Sequence, residues 1–116
     1  MSTRRVTTLL ALAWSIAAYA PSTLATDPSE CDQAAQFIGN AARARDFGIT
    51  REEFLARMQA DLEVIRAFPP ELRWFAETEE DEEFLLHGAR DVFDHPLAPE
   101  AHAMRFARAC VSRTNA

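Results

Sequence analysis

The chain has 116 residues, with 18 acidic side chains against 12 basic ones, every one of them arginine, and a net charge of −6. A surface of that sign has no electrostatic means of holding nucleic acid or an anionic membrane, which both need positive charge. Any charged partner is therefore expected to be basic. Alanine is the commonest residue and lysine is absent, a pair of biases that reads most simply as a GC-rich bacterial coding sequence.

The N-terminus reads as an export signal. Arg4 and Arg5 form a basic n-region, and Val6 to Ala20 is apolar but too short for the roughly 20 residues that a membrane-spanning helix needs. Cleavage after Ala20 would leave Pro21 next to the scissile bond, where its ring obstructs an extended substrate pose. Cleavage after Ala25 is the preferred alternative, giving residues 1–25 as signal peptide and 26–116 as one helical domain. The cleaved product is 91 residues long and carries 10 arginines against 18 acids. A retained amphipathic anchor is the competing reading, but no charged face runs through the segment.

Glycine is scarce, prolines are clustered, and no segment alternates convincingly with period two, so the expected fold is all-α. Helix 1 is expected to start with Asp27 as N-cap, Pro28 at N1 and Glu30 at N3, and to end near Phe47 with Gly48 at C′. Cys31, Ala34, Ala35, Ile38, Ala41 and Ala42 recur at helical spacing on one face. Gly39 inside this helix costs about 1 kcal/mol relative to alanine, which a close helix crossing would explain. Helix 2 has Thr50 as N-cap, Glu53 closing a capping box, and a stripe of Phe54, Leu55, Met58, Leu62 and Ile65. Val64 falls off that stripe and offers apolar surface for a dimer.

Phe68-Pro69-Pro70 ends helix 2, because the residue before a proline is pushed out of the α region. The following turn is expected to give Leu72, Trp74 and Phe75 to the core. Helix 3 follows Thr78 and runs to about Phe93, with Leu85, Gly88, Ala89, Val92 and Phe93 inward, and Pro96 stops it. Helix 4 opens at Pro99 and puts Ala103, Phe106, Ala107, Cys110 and Val111 on one side. Short connections between four helices predict an up-down-up-down bundle. In that topology the start of the first helix and the end of the fourth meet at one pole, so Cys31 and Cys110 are expected to form a disulfide. Closing a loop of about 80 residues would contribute roughly 4.5 kcal/mol. Two buried free thiols are the alternative, which an oxidising compartment disfavours.

Three groups invite a functional reading. Glu77, Glu79, Glu80, Asp81, Glu82 and Glu83 place six acids in seven positions. Acids favour the first turn of a helix, where the dipole stabilises negative charge, so a solvated helix start competes with a docking patch. Calcium is disfavoured, because the run lacks the alternating oxygens and tight glycine turn of a calcium loop. Trp74 beside the run is either a core lid or part of a recognition patch. His87, Asp91 and His95 stand at i, i+4 and i+8, a spacing that suits a metal or an acid–base trio, although the wheel places His87 and Asp91 on the outer face. His102 flanks the inner face of helix 4 and is expected to be a structural hydrogen-bonding group.

No G-x-S-x-G, HExxH, P-loop or CxxC motif is present, neither cysteine has a neighbouring base, and no cofactor is expected. Cys31, the Arg45-Asp46-Phe47-Gly48 helix exit, Val92-Phe93 with Pro96, and Cys110 together resemble a class of small uncharacterised exported bacterial proteins with one cysteine near each end of a helical domain. The resemblance implies the fold and a periplasmic or secreted location, and carries over no activity and no catalytic residue. The resulting expectation is a non-enzymatic protein that binds a basic protein partner in the periplasm, immunity-like or chaperone-like, through Trp74 and the acids at 77 and 79–83. The rival is a metal-binding or acid–base enzyme built on His87, Asp91 and His95.

Overall fold

The computed structural model describes residues 28–114. The signal segment, both cleavage points and the Asp27 cap lie outside the described residues. Four α-helices follow one another: α1 (Pro28–Asp46), α2 (Arg51–Ile65), α3 (Glu79–Asp94) and α4 (Pro99–Thr114), with a single 3-10 turn at Pro70–Leu72 between α2 and α3. Among the described residues there is no strand, and no helix is long and apolar enough to cross a membrane.

The helix ends follow from local chemistry. Gly48, at φ +109°, takes the left-handed position after α1. Its N–H bonds to the Arg45 carbonyl and that of Ile49 to the Ala44 carbonyl, at 2.9 and 3.1 Å, the paired closure of a Schellman motif. Thr50 and Glu53 form the capping box of α2, and Thr78 and Asp81 form that of α3. In each, the N-cap hydroxyl and the N3 carboxylate satisfy donors that the first helical turn leaves free.

The bundle runs up, down, up, down. Gly39 of α1 lies against Ala103 and Pro99 of α4, where an added Cβ would stand 3.4 Å from both. Towards the other end of the same pair, Cys31 is bonded to Cys110, so α1 and α4 are antiparallel. Helices α2 and α3 pair in the same sense, through Arg51 with Asp94 at one end and Arg66 with Glu82 at the other. The core is small and alanine-lined. Cys31, Ala34, Ala35, Ile38, Ala41 and Ala42 of α1 face Leu85, Ala89 and Val92 of α3 and Phe106 of α4, with Phe75 inserted from the connection.

Two expected core positions differ. Leu72 is 67% exposed and points out of the 3-10 turn, because that turn spends its inward direction on Phe75 two residues after Arg73. Val111 is over a third exposed, since Cys110 occupies the inward position beside it. Trp74 is partly buried and adopts φ +58°, a left-handed conformation that costs a non-glycine residue about 1 kcal/mol.

The Cys31–Cys110 bond joins residues 79 apart, with their Cα atoms at 5.6 Å. Removing it restores the chain entropy of a long loop to the unfolded state, worth roughly 4 kcal/mol. Replacing both cysteines by serine should therefore lower the melting temperature by more than about 10 °C in a domain of this size, as followed by circular dichroism. Mass spectrometry with and without reduction before alkylation checks the bond itself.

Candidate functional site

The acid run does not form one solvated surface. Asp81 and Glu82 are only 2% and 6% exposed. Asp81 Oδ1 accepts a 2.8 Å hydrogen bond from Arg113 Nη2 near the end of α4, while its other oxygen caps Thr78 N. The guanidinium of Arg113 lies 4.4 Å from the Phe84 ring centre and 6.0 Å from that of Phe75. Its Nη1 is buried without a hydrogen-bond acceptor, and the guanidinium as a whole lies over the Phe84 ring, whose quadrupole attracts a cation. Glu82 accepts from both Nε and Nη2 of Arg66, at 2.7–3.0 Å, in a forked pair. These two acids tie α3 to α4 and to the end of α2. They leave Glu79, Glu80 and Glu83 exposed and Glu77 partly so, and Glu83 is further engaged by Arg90 at 3.1 Å.

Trp74 is anchored rather than free. Its indole N–H donates to Gln33 Oε1 at 2.7 Å, and its ring meets Phe37 edge-on and Phe75 at a tilt. The large apolar side chains that do reach solvent near the acids are Val64, Phe68 and Leu72, at 63, 48 and 67% exposure. Arg73 fixes the backbone that carries them by donating to the carbonyls of Phe68, Arg66 and Glu77. The glutamates at 79, 80 and 83 surround a shallow depression floored by Leu86 and Arg66. Exposed apolar side chains at the end of α2 and in the connection after it thus share the disulfide pole with the exposed glutamates of the α3 start.

Of the trio on α3, the structure joins two members. His95 Nδ1 donates to Asp91 Oδ1 at 2.8 Å, but His95 itself is largely in water. His87 is exposed. Among the described residues, no group of three or more His, Cys, Asp or Glu side chains is placed to hold a metal ion. His87 and Asp91 instead line a cleft between α3 and α4 together with His102, Arg105 and the apolar Ile38, Phe84, Gly88, Phe106 and Ala109. Sequence reasoning did not assemble this cleft, because its two walls come from different helices, α3 and α4, whose facing register no local signal gives.

His102 is 3% exposed. Its Nε2 accepts from the Leu97 N–H at 2.9 Å and lies 3.5 Å from Arg45 Nη1. Arg45 itself spans the end of α3 and the following loop, donating to the carbonyls of Val92 and Leu97 at 2.7 and 2.8 Å. Burial first, and then the positive charge of Arg45, push the His102 pKa below its ordinary value; Asp91 opposes them, Arg105 adds to the lowering and Asp46 opposes it least. That downward shift agrees with the geometry, since a ring nitrogen that accepts a backbone N–H carries no proton.

No protein-family model matches this chain, and neither a curated protein nor a solved structure resembles it at a significant level. The disulfide fits an oxidising, non-cytoplasmic setting.

Two consequences are measurable. Asp81→Ala strands the Arg113 guanidinium at a half-buried site, and breaking such a pair from one side should cost roughly 3 kcal/mol in urea unfolding. For His102 the unfolded chain binds the proton more readily, so its contribution is fully present above about pH 6.5. That contribution is lost as the pH falls from there towards the lower folded-state value. Unfolding free energies between about pH 7 and 5 should show this decline. His102→Gln, which keeps an acceptor for Leu97 N–H without titrating, should remove it.

Proposed function

We propose that this is a small exported, non-enzymatic helical protein of the periplasm that binds a basic protein partner at its disulfide pole, in an immunity-like or chaperone-like role. The observation that carries the reading is the set of three exposed apolar side chains, Val64, Phe68 and Leu72, at the same pole as the exposed glutamates of the α3 start. Large apolar side chains concentrated in a short stretch and rimmed by polar groups mark protein-binding surfaces. The rim charge selects basic partners and steers their approach. The pole is also held rigid by the disulfide, by both buried ion pairs and by the Trp74–Gln33 bond. A surface fixed before binding loses little entropy on association. The export signal and the disulfide together support the periplasm or the exterior as the place of action.

The test is a pull-down from periplasmic extract with the wild type and two variants. One carries Glu79→Gln, Glu80→Gln and Glu83→Gln, leaving Asp81 and Glu82 to hold the fold. The other carries Phe68→Ser and Leu72→Ser. A specific partner should be recovered by the wild type, weakened by added salt in keeping with screening, and lost from both variants. Equal recovery by all three proteins removes this surface as the binding site.

A further inference from the structure

We infer that the cleft between α3 and α4 is a binding site for a small neutral aromatic molecule bearing a hydroxyl group. Its volume is about 160 Å³, close to the roughly 150 Å³ of apolar cavities that accept a benzene ring. Ile38, Phe84, Phe106 and Gly88 make its inner wall. An added Cβ on Gly88 would lie 2.7 Å from the Phe106 ring, so the absence of a side chain there lets the ring stand where it does. This wall suits a flat apolar body.

The polar groups select the head. His102 Nε2 is occupied by the Leu97 N–H, which puts the proton of the neutral ring on Nδ1, and Nδ1 has no partner among the described residues. Asp91 uses Oδ1 for His95, while its Oδ2 lies 3.9 Å from Arg105 Nη2, too far for a hydrogen bond. Beside the exposed His87 and Arg105 at its rim, the cleft therefore offers an uncharged donor at the buried His102 and an acceptor at Asp91 Oδ2. A carboxylate head would satisfy Arg105 but confront Asp91, and an ammonium head would do the reverse. A hydroxyl donates to Asp91, accepts from His102 and sets no charge against a like one.

The probe is phenol, titrated into the oxidised protein and followed by backbone amide shifts in two-dimensional NMR. Saturable millimolar binding is expected, centred on Gly88, His102 and Ala109. Benzoate and benzylammonium should bind roughly tenfold more weakly, because each meets a like charge at a partly desolvated site. Ala109 is exposed on α4 and lines the cleft, so Ala109→Phe fills the space from outside without entering the core and should abolish the shifts. Asp91→Ala, independent of that change, should weaken phenol by roughly tenfold through the lost charge-assisted hydrogen bond. No saturable shift with phenol, undiminished binding by Ala109→Phe or Asp91→Ala, or equal binding of a charged ring would each overturn the assignment.

Discussion

The bond between Cys31 and Cys110 sets the order of this molecule. It fixes the start of α1 against the end of α4 and thereby the register in which their alanine faces meet. An alanine-lined core is thin, and each buried alanine contributes little apolar area. A covalent tie at one end opposes sliding of α4 along α1 more strongly than contacts between small side chains do. With one end pinned, Phe106 is delivered to Gly88, and Arg113 to Asp81, each in a single position. The cleft between α3 and α4 and the ion pair at the pole therefore depend on a constraint that neither contains.

Arginine takes the roles that a larger core would fill with hydrocarbon. Arg45 bridges a carbonyl in the last turn of α3 and one in the loop after it, Arg73 ties together the connection after α2, and Arg66 and Arg113 hold the two withdrawn acids. Each role uses the planar fork of donors that a lysine lacks. A composition with arginine alone is compatible with codon bias. In this fold it also supplies several joints that a point charge would make less well.

Most of what sequence made legible is local. Thr50 with Glu53, Thr78 with the α3 start, the prolines at 69–70 and 99, and Gly48 after α1 mark their elements because the chemistry that ends a helix lies within a few residues of it. The topology was legible from the short connections between four helices, and two cysteines that it brings to one pole agreed with it. The fate of Asp81 and Glu82 was not, because their counter-ions come from Arg113 and Arg66, 32 and 16 residues away. A helix-start acid and a buried acid look alike until those distant guanidiniums are placed. The same holds for Leu72, whose direction depends on which residue of a short turn first reaches the core. Placing His87 and Asp91 on the outer face of α3 captured the exposure of His87, but Asp91 is only partly exposed, because α4 brings His102 and Arg105 alongside to make a concave surface.

The indole of Trp74 is the single tryptophan among the described residues, and it sits in a connection rather than in a helix. Its emission reports the docking of that connection onto Gln33 and Phe37, whereas far-ultraviolet dichroism reports the four helices. The two signals thus view separate parts of one small domain. Their coincidence during denaturation would mean that the loop and the bundle come apart together, and a displacement between them would expose the connection as a subunit of stability in its own right.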